Sequence, residues 1–203
     1  MQCADTLDSR KQLHKSDIVY PNYFLCESHS ANKLALMRIT EGVEWAVHAC
    51  VMLAPLPPKV ALSLRSLAEF HEVPAPYMAK QMQKLSAAGI VRSTKGRSGG
   101  YRLARPPESI SLLDIFEAIE GKTNAFRCTE IRQKGPCPVP RSKCLKRCNI
   151  AQTFLDAEGQ FKVTLQRATL GQMVTSAGDG MALERSKAVG EWYSEHICII
   201  DSG

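Results

Sequence analysis

The stretch VPAPYMAKQMQKLSAAGIVRSTKGRSGGYRLARPPESISLLDIFEAIEG, residues 73–121, decides the fold. Pro76 opens a helix at a first position, where a missing N–H costs nothing, and Gly89 stops it. Ile90, Val91 and Arg92 make a short strand. The turn 94–100 reverses the chain, and Tyr101–Arg102–Leu103 returns. Ser111 and Asp114, with Asp in place of the usual Glu, form a capping box for a further helix that ends at Gly121.

Upstream, Ile39, Val43, Ala46, Val47 and Cys50 give an apolar stripe at helical spacing, predicting helix one from Arg38 to Leu53. Pro55, Pro57 and Pro58 end it. Ser63 is suited to N-cap a short second helix, Leu64 to His71. Helix, turn and helix followed by a two-stranded hairpin is the winged-helix arrangement. Such units lay the third helix in the DNA major groove and the hairpin against the backbone or minor groove. The expected fold is mainly α with a small β wing.

Charge agrees with that expectation. The chain has 203 residues and a formal net charge of +6. Between residues 80 and 105 stand Lys80, Lys84, Arg92, Lys95, Arg97, Arg102 and Arg105, with no Asp or Glu. Cations held on one face neutralise phosphates and release counterions. Tyr77 and Lys80 lie one turn apart early in helix three, where side chains reach bases or phosphates. Arg97 sits at the tip of a glycine-rich wing whose backbone can approach phosphates. The DNA-contacting candidates are therefore Tyr77, Lys80, Lys84, Arg92, Lys95 and Arg97.

Downstream, four of the eight cysteines crowd into one loop: Cys128, Cys137, Cys144 and Cys148, with eight, six and three residues between them. No secretory signal or membrane-length apolar run is evident in the sequence, so a cytoplasmic location and reduced thiols are expected. Thiolates suit zinc or iron–sulfur clusters. Structural zinc sites favour paired CxxC knuckles, which these spacings lack. A zinc site or a cluster-free thiol switch stays open as an alternative. Seven Lys and Arg side chains against one acid, Glu130, surround the thiols and favour their charged form. After the loop, Ile150, Phe154, Ala157, Phe161, Leu165 and Ala168 form a seam on a long helix from Asn149 to Ala168. No catalytic motif such as GxSxG, a P-loop or a dinucleotide fingerprint is present, so an enzyme is not expected.

The organisation read from the sequence is a disordered extension over 1–36, a winged-helix domain over 37–121 and a cysteine loop over 122–148. A dimerisation helix over 149–174 and a tail over 175–203 follow. The tail has room for a short helix from Met181 to His196. Met37 opens the first clean helical pattern, so translation starting there is a further expectation.

The stretches MRITEGVEWAVHA at 37–49 and 73–121, the cysteine loop, and ATLGQMV at 168–174 resemble the BadM/IscR-type winged-helix regulators, a family that includes IscR, NsrR and RsrR. The resemblance covers about two thirds of the chain. It implies a homodimeric repressor on a pseudo-palindromic DNA operator, with Tyr77 and Lys80 on the recognition helix and Arg97 on the wing. It also implies an iron–sulfur cluster as sensor of redox state or nitric oxide. Family members commonly use three loop cysteines and a non-cysteine ligand. Here the first gap is longer, a fourth cysteine is present, and Arg147 stands where IscR-like proteins carry a histidine. Glu44 and His48 lie four residues apart on one face of helix one. At this point the resemblance is to the RsrR-like members. It implies a [2Fe–2S] cluster held by Glu44 and His48 of one subunit and Cys128 and Cys148 of the other, with Trp45 as a switch. Cys137 and Cys144 are spare or alternative ligands. The competing arrangement within the family is a [4Fe–4S] nitric-oxide sensor using Cys128, Cys137, Cys144 and Glu44.

Overall fold

The computed structural model describes residues 39–94, 96, 99–122 and 126–200. The expected extension 1–36 and the wing residues Lys95 and Arg97 lie outside the described residues. All described residues belong to one compact unit that begins at Met37.

Helix α1 spans Glu41–Leu53, with Thr40 at its N-cap. It buries Val43, Ala46, Ala49, Cys50 and Leu53. Ile39, expected on that stripe, precedes the helix and is half exposed at 50%. Strand β1 (Val60–Leu62) follows, and then α2 (Leu64–Phe70), whose N-cap Ser63 accepts from the Ser66 amide at 3.0 Å. Helix α3 spans Ala75–Ala87, and Gly89 takes φ +69° just beyond it. Strands β2 (Val91–Thr94) and β3 (Gly100–Leu103) form the wing, Arg92 opposite Arg102. Helix α4 spans Leu112–Glu120, and both arms of the Ser111–Asp114 capping box are present.

The core lies between α1, α2, α3 and α4. Leu53, Leu67, Met78, Met82, Leu85, Ile110 and Ile115 are fully enclosed there. Gly42 of α1 brings this helix close to α3, where a Cβ would meet the Gln81 side chain at 3.1 Å. Gly100 is required by packing as well as by turning. A Cβ there would stand 2.6 Å from the Leu62 carbonyl oxygen, well inside van der Waals contact.

Two features extend the expected winged helix. The run Val60–Ala61–Leu62 is a strand and makes the sheet four-stranded, in the order β2-β3-β1-β4. The fourth strand, β4 (Ile197–Ile199), comes from the far C-terminus and pairs antiparallel with β1, Ala61 opposite Cys198. Residues 175–200, expected as a tail with room for one short helix from Met181 to His196, therefore hold more structure than expected. Helix α5 (Asn149–Arg167) is followed by α6 (Leu170–Asp179) and α7 (Leu183–His196), and α7 delivers β4. Three-residue apolar runs such as 60–62 and 197–199 carry too little periodicity to be read as strands; the partner strand defines them.

Candidate functional site: a basic helix face and a cysteine loop

Helix α3 carries its apolar residues Met78, Met82 and Leu85 inward and turns Tyr77 and Lys80 outward. Tyr77 is 58% exposed, which is uncommon for so large an amphipathic ring and leaves its hydroxyl available to a partner. Its inner edge meets Trp45 of α1, ring centres 6.0 Å apart at 67°. Lys80 is exposed. Lys84 is half-buried, and its ammonium donates to the Ile119 carbonyl at the end of α4. A cation there also meets the negative end of that helix. Arg92 is exposed on β2 and donates to the Ala104 carbonyl at 2.8 Å. Arg105 is engaged by Asp114 at 3.0 Å and by the Ser109 carbonyl. Burial opposes ionisation of Asp114, but the Ser111 amide and the Arg105 guanidinium outweigh it and hold the carboxyl below its usual range. Of the expected DNA contacts that are described, Tyr77 and Lys80 point freely outward, whereas Lys84 and Arg92 also brace the domain.

Glu44 and His48 are both exposed on α1, one turn apart, with Trp45 half-buried between them. Cys50, two residues further on, faces the opposite way into the core, and burial pushes its thiol up to about 12. It is a packing residue. His48 meets a neighbour that sequence reasoning did not pair with it. The His71 ring, just after α2, is centred 5.5 Å away at 56°. Burial lowers the His71 pKa, and the nearby His48 adds to this; a hydrogen bond to the His48 backbone works against it. The positive-φ turn at Glu72 (φ +51°) had no recognisable sequence signal, and it ends α2 with His71 against α1.

The cysteine loop is organised around one ion pair. Glu130, at φ +49°, accepts from Arg132 Nε at 3.1 Å and Nη2 at 2.8 Å. The Cys128 thiol donates to the other Glu130 oxygen at 3.7 Å. Arg132 also donates to the Lys146 carbonyl at 3.1 Å and stands within electrostatic reach of Cys144 and Cys148. The two ends of the loop are thus drawn toward one guanidinium. Cys148 is the N-cap of α5, and its sulfur accepts from the Ala151 amide at 3.3 Å. Cys128 and Cys137 are exposed, and Cys144 and Cys148 half-exposed; all four carry free thiols. Accessible thiols among cations, with a carboxylate and imidazole on another exposed surface, suit an iron–sulfur cluster chemically. Among the described residues, no group of three or more His, Cys, Asp or Glu side chains converges within the chain. The donors form two separate sets.

Helix α5 leaves part of its seam open. Phe161 packs edge-on against Phe116 of α4, but Ile150 and Phe154 are 68% and 54% exposed. Phe126 stacks on Phe154, centres 4.8 Å apart. Among the described residues, no helix is long and apolar enough to cross a membrane.

A family profile described as Rrf2, iron-dependent transcriptional regulator, matches residues 39–176. The HTH-type regulator YffB of Lactococcus lactis is 31% identical over 137 residues, covering 68% of this chain and 86% of the relative. The regulator IscR of Cereibacter sphaeroides is 40% identical over 93 residues, covering 44% of this chain and 59% of the relative. NsrR of Shouchella clausii is 22% identical over 151 residues, covering 74% and 97%. Among solved structures, CymR of B. subtilis, a global cysteine regulator, aligns with a TM-score of 0.56 at 20% identity, covering 70% of this chain and 98% of that one. IscR of T. potens aligns at 0.55 and 23%, covering 72% and 93%. These two share the fold. The relatives are named as transcriptional regulators, and none of these names is that of an enzyme.

Proposed function

Because the chain belongs to the Rrf2 family of transcriptional regulators, we propose that it is a cytoplasmic, homodimeric DNA-binding repressor whose two chains share a [2Fe–2S] cluster as sensor of redox state or nitric oxide. The observation that carries this reading is the separation of donors: Glu44 and His48 on the exposed face of α1, the thiols in the loop before α5. Among the described residues neither set converges into a metal-holding group within one chain, and both are at least partly exposed and so open to a second copy.

In this reading α5 joins the copies through Ile150 and Phe154, burying apolar surface at roughly 25 cal/mol per Å². Cys128 and Cys148, gathered by Arg132, face the partner's α1. Tyr77, Lys80, Arg92, Lys95 and Arg97 hold DNA phosphates and base edges on a pseudo-palindromic operator. When bound, the cluster supplies a one-electron couple, and so a change of one charge beside α1. Trp45 joins that part of α1 to Tyr77 on the recognition helix, so a shift of α1 moves a DNA-contacting side chain. Such a coupling biases the dimer between binding and non-binding states.

Anaerobic purification with iron and sulfide analysis tests the reading. Two irons per site and loss of colour in Cys128→Ala and Cys148→Ala are expected. Four irons per site, with colour lost in Cys137→Ala and Cys144→Ala, would instead establish the [4Fe–4S] arrangement. A colourless wild type would leave a zinc or thiol switch.

A further inference from the structure

We propose that the cleft between α1, the end of α2 and the start of α7 binds a small organic anion: a carboxylate carried on an apolar body. The inference does not depend on the cluster reading.

Three observations carry it. The first is the wall. The cleft holds about 750 Å³, within the roughly 300–1,000 Å³ of small-molecule sites. Val51, Phe70 and Val189 stand half-buried along it, beside the buried Met52. Their apolar surface is left to water, and an apolar body would cover it.

The second is charge. The titratable side chains on the lining are Arg185 of α7, His48 of α1 and His71 after α2, and no Asp, Glu or Cys lines it. A cation finds no counter-charge there, whereas an anion finds a guanidinium. Arg65, Arg105 and Arg132 are each paired with a carboxylate of this chain. Arg185 has no ion pair or hydrogen bond among the described residues. Its planar fork can grip a carboxylate through two parallel hydrogen bonds, and apolar walls strengthen that attraction.

The third is that the site is already built. The Tyr193 hydroxyl donates to the Met52 carbonyl at 2.7 Å, and Trp192 meets Phe70 edge-on at 4.7 Å. These contacts fasten α7, and with it Arg185, against α1 and α2, so little ordering is left to be done on binding. Helix α7 lies beyond the residues matched by the family profile, so Arg185 and Val189 come from outside that shared part. Phe70 and His71 directly precede the positive-φ turn at Glu72 that leads toward α3. An occupant therefore touches the helix–turn–helix itself.

Trp192 reports on the cleft, and Trp45→Phe in the full chain isolates its emission. Octanoate and its neutral amide, octanamide, are the probes. Octanoate should give a saturable change, with octanamide roughly tenfold weaker or more, as a charge-assisted bond is lost. Adding Arg185→Gln should erase that preference. Adding Lys187→Gln, a cation of the same helix that does not line the cleft, should keep it. Equal response to the two probes, a preference that survives Arg185→Gln, or no saturable change overturns the site. Emission that follows protein concentration but not octanoate would show a second copy covering the cleft, and overturns it too. Iron content is read separately, so failure here leaves the shared cluster standing.

Discussion

Trp45 of α1 and Tyr77 of α3 meet edge to face, ring centres 6.0 Å apart, and join the helix bearing Glu44 and His48 to the helix bearing Lys80. Such a pair contributes about 0.5–1.5 kcal/mol beyond its buried area. Its position makes Trp45 a reporter of what happens to Tyr77. The chain has two tryptophans, so Trp192→Phe isolates the signal. Adding DNA to that variant should change Trp45 emission, and Tyr77→Ala should abolish the change. Emission indifferent to DNA would break the proposed link between the two helices.

Lys80 and Lys84 lie one turn apart but should behave differently. Lys80→Ala should lower the slope of log affinity against log salt by about one, as one phosphate contact is lost. Lys84 is engaged by the Ile119 carbonyl. Lys84→Ala should therefore lower the melting temperature, by an amount matching about 1 kcal/mol. Titrations at several salt concentrations and thermal melts separate the two effects.

Gly100→Ala probes the sheet. The new methyl would stand 2.6 Å from the Leu62 carbonyl, forcing β3 away from β1 at a cost of about 1–3 kcal/mol. Chemical denaturation should show a lower midpoint with an unchanged slope. An undiminished midpoint would mean that the β1–β3 approach is looser than described.

Asp114 should give stability a dependence on acid pH. Its carboxyl is held below the usual 3.8 by the Ser111 amide and Arg105, against an opposing effect of burial. A group depressed in the folded state stabilises above its unfolded pKa, and that contribution is lost as pH falls through the folded value. The wild type should therefore lose stability progressively below about pH 4 relative to Asp114→Ala. At neutral pH the variant should be weaker by about 1 kcal/mol. Melts from pH 7 down to 3 would expose parallel curves if the capping box contributes nothing.

Removing the Tyr193 hydroxyl tests whether the C-terminal segment is integral. Tyr193→Phe deletes the bond to the Met52 carbonyl and should cost about 1 kcal/mol, since a half-buried acceptor is left without this donor. A single cooperative melt, shifted downward, is expected; separate melting of α7 would show that it is merely appended.

The winged helix was legible from local chemistry. Pro76, Gly89, Ser63 and the Ser111–Asp114 box are punctuation marks whose effects act within a turn of chain; each works where its residue type predicts, except that Pro76 stands second in α3, after Ala75, instead of first. The acid-free run from Lys80 to Arg105 was equally plain, because charge needs no partner to be read. The structure decided what depends on distance between remote segments. Val60–Leu62 and Ile197–Ile199 become strands because each supplies the other's hydrogen bonds across 137 residues of register, Leu62 opposite Ile197 and Val60 opposite Ile199. Lys84 and Arg105 looked like free cations and are partly consumed by carbonyls and a carboxylate of the same domain. Sequence alone paired Glu44 with His48, since helical spacing brings them together. Only the tertiary fold set His71 beside His48, by ending α2 with a left-handed residue and closing α7 over both.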